Sequence, residues 1–209
     1  MSQNLILLSL LPILSIMLSK ISNSSKTLNY IVPITLYSII LLALFLNTDS
    51  GQLTISFLNI NGNQINILFN FIQEYTLMSK VVLFVSGLVL YYSSKFIESE
   101  DKRAHARYFL FLTIFITSMF LFTLSNDLFS SFIFWEILGL SSYFLIGFWN
   151  KDSEAIRSST IAFWITRFGD LFFLAGIILI FTISGTLSID SINIGVESKK
   201  YNINLPLLL

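Results

Sequence analysis

The feature that most constrains this chain is a single carboxylate, Glu136, inside residues 128–149 (LFSSFIFWEILGLSSYFLIGFW), a 22-residue run in which nothing else carries charge. At about 1.5 Å per residue, such a run crosses a hydrocarbon core about 30 Å thick, so it can be a transmembrane helix. Glu136 falls eight residues after Leu128, roughly 12 Å along the axis and well below the headgroups. A charge at that depth costs on the order of 2.5–3.5 kcal/mol even on insertion scales, and such residues face a bundle interior or a water-filled path. Protonation is the less costly state, because leaving water disfavours the charged form of a carboxyl. A buried group that holds and releases a proton is what a proton pathway needs. The plainer alternative is a structural carboxyl hydrogen-bonded to a neighbouring helix.

Composition supports the same setting. The chain is 55% hydrophobic and 11% charged, with 21 Phe, a balance that requires lipid-facing surface and marks an integral membrane protein. The 12 Lys+Arg cancel the 12 Asp+Glu, leaving no basic excess for nucleic acid. With no Cys and one His, the chain supplies no disulfide, thiolate zinc site, iron–sulfur cluster or pair of axial haem ligands. It also lacks the glycine-rich phosphate-binding runs. Redox chemistry is therefore expected elsewhere, with no cofactor or metal bound by this chain.

Apolar stretches at 5–19, 28–47, 76–95, 108–125, 128–149 and 158–183 predict an all-α integral membrane bundle of about six transmembrane helices, in one domain over 1–209. The first stretch is short, and no Lys or Arg precedes it before Lys20. That charge order is the reverse of a signal peptide's, so a retained span with its N-terminus outward is expected. Between the second and third spans, polar and apolar residues alternate around Asn61-Gly62, predicting a surface hairpin near 53–71. Asn126-Asp127 makes the tightest connection and predicts antiparallel neighbours on either side.

Eight Lys and Arg lie in the loops after spans one, three and five, and none in the loops after spans two and four. The positive-inside tendency then places loops 20–27, 96–107 and 150–157 on the cytoplasmic or matrix side. Lys199 and Lys200 in the tail weaken that asymmetry without reversing it.

Other ionisable residues divide between chemistry and plain explanations. Glu136 is followed by Gly139, Ser141 and Ser142, small residues on which another backbone can approach. Arg167 and Asp170 are three apart in ITRFGDLFFLAGIILIF and so share a helix face. Mutual neutralisation is the simplest reading, but an internal ion pair is a poor stability device, and a pair that opens to meet a third charge is a switch. Trp164, one turn before Arg167, is a candidate cation–π partner. Lys80 is expected to snorkel to the surface, and His105 to be a solvated loop histidine.

The run Phe134-Trp135-Glu136-Ile137-Leu138-Gly139-Leu140-Ser141-Ser142-Tyr143-Phe144-Leu145-Ile146-Gly147-Phe148-Trp149 closely resembles the Trp-Glu, Gly-Leu-x-Ser-Tyr-Leu-Leu-Ile-Gly-Phe-Trp pattern of the antiporter-like subunit 5 family of respiratory complex I, the proton-pumping NADH:ubiquinone oxidoreductase. Arg167-Phe168-Gly169-Asp170 is similar to that family's Arg-x-Gly-Asp. The stretch from Arg107-Tyr108-Phe109 through Ser118-Met119 to Asn126 resembles the approach to its fifth helix. The likeness runs from about residue 70 onward and is specific between 107 and 176.

The resemblance implies the N-terminal part of a proton-translocating membrane-arm subunit, with Glu136, Arg167 and Asp170 as the proton-translocation residues. It implies a Lys partner for the Glu in the helix after the one that holds Arg167 and Asp170. Other membrane-arm subunits and membrane lipid are the implied partners, and flavin, iron–sulfur clusters and ubiquinone are implied elsewhere in the complex. Leu90 stands where the family often has His. The sequence ends at Leu209, about where the family's seventh helix begins, so the expectation is a split or truncated subunit 5, with a separate chain carrying the rest. The alternatives are an Mrp-type cation/proton antiporter subunit and a structural membrane subunit with an inert Glu136. Richness in Phe, Ile, Leu, Asn and Ser suits an AT-rich organelle genome, hence the mitochondrial inner membrane, with the bacterial plasma membrane as the alternative.

Overall fold

A computed structural model describes residues 10–14, 28–46, 51–60 and 63–198. Helix α1 (Leu28–Leu46) leads into a hairpin of β1 (Gln52–Ile60) and β2 (Asn63–Asn70). Then come α2 (Gln73–Phe96), α3 (Lys102–Leu124), α4 (Leu128–Ile146), α5 (Ser153–Ser184) and a short α6 (Ile189–Glu197). Helices α2 to α5 are four long, apolar candidates to cross a membrane, and α1 adds 19 residues with an apolar stretch over Ile31–Leu42. Of the first expected span only 10–14 are described, and they are helical. Asn61-Gly62, Lys20, Lys26, Lys199 and Lys200 lie outside the described residues.

Helix α3 is the axis of the packing. Its buried side chains Phe109, Leu112, Ile116, Phe120, Leu121 and Leu124 form one core with Tyr37 and Ile40 of α1 and Leu83 and Leu90 of α2. In α2, Ser79, Leu83, Ser86, Leu90 and Ser93 are buried, spaced alternately by four and three. That 3.5-residue seam is what a helix packed against near-parallel neighbours requires. The opposite face exposes Leu77, Phe84, Leu88 and Tyr91, as lipid-facing helices do. Neutral hydroxyls inside this core are satisfied within their own helix or across to a neighbour. Thr113 donates to Phe109 and Leu110 carbonyls at 2.9 Å each, and the Tyr37 hydroxyl meets Thr117 Oγ1 at 2.8 Å and the Thr113 carbonyl at 3.1 Å.

The hairpin forms as the alternation predicts, antiparallel with Leu53 opposite Phe69 and an irregularity between Ser56 and Leu58. Phe69 turns inward onto Phe134, with ring centroids 5.9 Å apart. The strand is also sewn to the α3–α4 junction. Asn126 N donates to the Leu68 carbonyl at 2.8 Å, and Leu68 N donates to Asp127 Oδ2 at 2.7 Å. Asp127, 1% exposed, also caps α4 by accepting from Ser130 N at 2.7 Å and from the Ser130 hydroxyl. Asn126 Nδ2 donates to Asp190 of α6 at 2.6 Å. One Asn-Asp dipeptide thus fastens hairpin, α4 and α6 at a single end of the bundle.

Several boundaries differ from the sequence reading. Helix α3 starts at Lys102 rather than 108, so His105 is not a solvated loop residue. It is 1% exposed and lies against Phe109 at 4.8 Å. Residues 102–106 wrap one helical turn, with Lys102 and Arg103 outward and His105 and Ala106 inward. Helix α5 starts at Ser153 rather than 158 because Asp152 caps it, accepting from Glu154 N at 2.9 Å. It ends at Gly185, whose φ of +69° is the left-handed cap conformation that favours glycine. Helix α4 stops at Ile146 rather than Trp149. There α5 crosses so closely that a Cβ on Gly147 would lie 2.9 Å from Ser159 Oγ. The chain turns, and Phe148 packs on Tyr108 at 5.2 Å while Trp149 donates to Glu100 at 3.2 Å. Helix α6 lies where the sequence predicts only a tail, and Ser188 caps it by accepting from Ser191 N.

These contacts put loops 97–101 and 147–152 at one end and the hairpin and residues 125–127 at the other. The basic residues of the loops after α2 and α4 therefore share one end.

Candidate functional site

Helices α4 and α5 bury few side chains, and those few are mostly polar: Ser130, Ser131 and Ser141 on α4, and Ser159 and Asp170 beside Ile177 on α5. Apolar residues face outward instead, with Trp164, Ile165, Phe168, Leu171 and Phe172 all exposed. In water this order is inverted; in lipid it is the expected one, because polar groups must find partners inside the protein.

The structure brings Glu136, Arg167 and Asp170 together in the seam between these helices. Arg167 Nη1 pairs with the Glu136 carboxylate, and Nη2 donates to the Glu136 carbonyl at 3.1 Å. Asp170 Oδ2 lies 3.8 Å from Arg167 Nη1, so one guanidinium serves two carboxylates. The side chains of Arg167 and Glu136 are about a quarter exposed and that of Asp170 11%. Among the described residues, then, the cation beside Glu136 is Arg167 of the adjacent helix, whereas the resemblance implied a Lys from a later one.

Small residues make room for this arrangement. A Cβ on Gly139, one turn after Glu136, would lie 3.3 Å from Arg167 Nη2. The group that approaches there is a guanidinium rather than another backbone. The Ser141 and Ser142 hydroxyls donate to the Leu138 and Gly139 carbonyls at 2.9 and 2.8 Å, so they satisfy themselves and leave the charges to one another.

Arg167 stacks over the Phe163 ring, 4.9 Å from its centroid. Trp164 is not that partner; it is 68% exposed. Residues four apart on a helix lie over one another more closely than residues three apart do when the side chain leans toward the N-terminus. The contact that sequence reasoning missed is Trp135, whose Nε1 donates to Asp170 Oδ1 at 2.8 Å. Its only sequence signal is adjacency to Glu136.

An open apolar cavity of about 830 Å³ borders the cluster, lined by Glu136, Arg167 and Asp170 with Phe132, Phe163, Trp164 and other apolar residues. Two carboxylates and one guanidinium leave a formal charge of −1 there when all are ionised. Such a cluster can take up one proton and become neutral. Of the remaining candidates, Lys80 lies half-buried on the second turn of α2, and Leu90 is fully buried in the core, both away from the cluster.

Residues 125–209 match the family described as NADH:quinone oxidoreductase/Mrp antiporter, TM. The chain is 36% identical over 115 residues to NAD(P)H-quinone oxidoreductase subunit 5 of the Nephroselmis olivacea chloroplast, covering 55% of this chain and 17% of that one. It is 31% identical over 154 residues to NADH-ubiquinone oxidoreductase chain 5 of Yarrowia lipolytica, covering 74% and 23%. This chain therefore spans less than a quarter of the length of either relative. In fold it is similar to the Mrp complex from Dietzia sp. DQ12-45-1b, with a TM-score of 0.75 at 18% identity over 90% of this chain and 20% of that one. These likenesses bear out the resemblance read from the Trp-Glu run and from Arg167-Phe168-Gly169-Asp170: this is an antiporter-like, multi-pass membrane chain similar to subunit 5 of complex I.

Proposed function

We propose, from the premise that this is an antiporter-like chain of the subunit 5 kind, that it serves in the membrane arm of a proton-translocating NADH:quinone oxidoreductase, with Glu136 as the group that loads and releases the proton. The observation that carries the reading is the single guanidinium held between two carboxylates in an otherwise apolar, intramembrane seam. When Glu136 is ionised, Arg167 neutralises it. When Glu136 accepts a proton, that attraction ends, and Asp170, already 3.8 Å from Nη1, takes the cation. Release of the proton reverses the exchange. Each state leaves one ion pair intact, which matters because an uncompensated buried ion costs several kcal/mol.

The same bookkeeping points outward. With Glu136 ionised the cluster carries −1, so a cation-bearing helix from a further segment or separate chain, seated on the open face of α5, balances it. Other membrane-arm subunits are the natural neighbours. Flavin, iron–sulfur clusters and quinone belong to other subunits in this reading, and the redox steps with them. The names of the curated relatives favour complex I over an Mrp-type exchanger, which shares the matched family and the fold. Composition favours the mitochondrial inner membrane.

The test is Glu136→Gln in the assembled complex. Assembly is expected to persist while the proton-to-electron ratio falls; an assembled variant with unchanged ratio overturns the proposal.

A further inference from the structure

Two carboxylates compete for Arg167, and the exchange described above works only if the travelling proton chooses Glu136. A proton on Asp170 would leave Arg167 locked to Glu136, with no second site to move to. Asp170 is the less exposed of the two, so its fixed hydrogen-bond partners decide the choice. Something must hold Asp170 ionised.

We infer that Trp135 is a positioning residue whose indole N–H keeps Asp170 as the permanently ionised carboxylate of the cluster and so confines the mobile proton to Glu136. The inference rests on the proposed role of Glu136 and adds the device that selects it. The hydrogen bond is short, 2.8 Å from Nε1 to Asp170 Oδ1. An indole N–H donates and never accepts, so on that oxygen it stabilises the carboxylate and offers nothing to a carboxylic acid proton. The Glu136 carboxylate has Arg167 as its ion-pair partner and no comparable neutral donor among the described contacts.

Consecutive residues on a helix point about 100° apart, so the Trp-Glu dipeptide straddles α5. Glu136 borders the cavity on one side. The Trp135 indole borders a second one of about 440 Å³ on the other side, with Phe122, Ile165, Thr166, Gly169 and Phe173. Asp170 is the residue common to both linings. Helix α3 holds the indole in place through Phe122, whose ring lies 5.6 Å from that of Trp135. Among the described residues, the charged groups around both cavities are Glu136, Arg167 and Asp170: α3 contributes Phe122, α4 adds Phe132 and Trp135, and α5 adds apolar residues with Thr166 and Gly169. The outcome of the competition therefore depends on this one neutral donor.

Trp135→Phe keeps a ring against Phe122 and removes the N–H. In the assembled complex, the pH dependence of proton-coupled turnover and the infrared C=O band of protonated carboxyls report where the proton sits. The variant is expected to move the acid limb toward higher pH by about tenfold or more in proton concentration, the scale of a lost hydrogen bond to a charged group. It is also expected to gain a protonated-carboxyl band that Asp170→Asn abolishes. An unchanged acid limb with no new Asp170 band overturns the inference. If Trp135→Phe fails to assemble, the double variant Trp135→Phe/Asp170→Asn decides. Restored assembly supports the role toward Asp170, and continued failure shows the ring to be packing only, which also overturns it. The Asp170 band is read independently of pumping, so a failure of Glu136→Gln to alter the proton-to-electron ratio would sink the earlier proposal without mimicking either result.

Discussion

The half of the bundle built on α1, α2 and α3 and the half built on α4 and α5 solve the same problem differently. Both bury polar groups where water is scarce. Around α3, those groups are mainly neutral hydroxyls within an apolar cluster, and most donate to a carbonyl of their own helix, as Thr113 and Ser118 do. Most need no help from another element, and those that reach across, Tyr37 to Thr117 and Ser79 to Thr123, meet another neutral hydroxyl. In the α4–α5 seam, Glu136, Arg167 and Asp170 cannot be satisfied locally; each depends on a side chain from across the seam or one turn away. The first arrangement stabilises packing and has one state. The second has at least two ways to pair its charges, and that degeneracy is what a transport site needs.

The comparison breaks most decisively at Arg167. Arg167→Ala leaves two carboxylates without their cation and is expected to cost about 3–5 kcal/mol, read as loss of assembled complex on native gels. Adding Glu136→Gln and Asp170→Asn should recover much of that loss. Recovery would show that the cost is uncompensated charge rather than lost packing.

Next is Asp127, a buried carboxylate that belongs to neither pattern. It accepts from Ser130 N, the Ser130 hydroxyl and Leu68 N, so it joins the hairpin to the start of α4. Asp127→Ala is expected to cost about 2–3 kcal/mol, the sum of a lost cap and a lost charged hydrogen bond. Faster proteolysis within the hairpin, with pumping per assembled complex preserved, is the expected readout. Loss of pumping in fully assembled material would place Asp127 with the seam instead.

The smallest effect should come from the hydroxyl half. Tyr37→Phe removes contacts to Thr117 and to the Thr113 carbonyl, and interhelical hydrogen bonds in membranes average about 0.6 kcal/mol. A slight fall in thermal stability, with unchanged pumping, is expected. A loss as large as that of Arg167→Ala would erase the distinction between the two halves.

Much of this was legible in the chain. A lone carboxylate in a 22-residue apolar run, and a second run holding Arg167 and Asp170 three apart, state by themselves that charge lies within the membrane, because hydropathy and helix period are local properties. The alternation around the hairpin and the brevity of Asn126-Asp127 are equally local, and they fixed the strand pair and the antiparallel neighbours. Helix starts were less legible. Lys102 to Arg107 and Ser153 to Arg157 look like loop by composition, yet they form first turns of helices: Asp152 caps the start of α5, whereas Asp101 makes no side-chain cap bond and the first turn of α3 instead buries His105 and Ala106. What only the tertiary structure decided is which charge meets which. A three-residue spacing permits an Arg167–Asp170 pair and does not exclude it. The crossing of α5 over Gly139 and Gly147 is what brings the guanidinium to Glu136 and the Trp135 indole to Asp170. Those contacts depend on the rotation of two helices about their own axes, and no run of residues within either helix encodes that rotation.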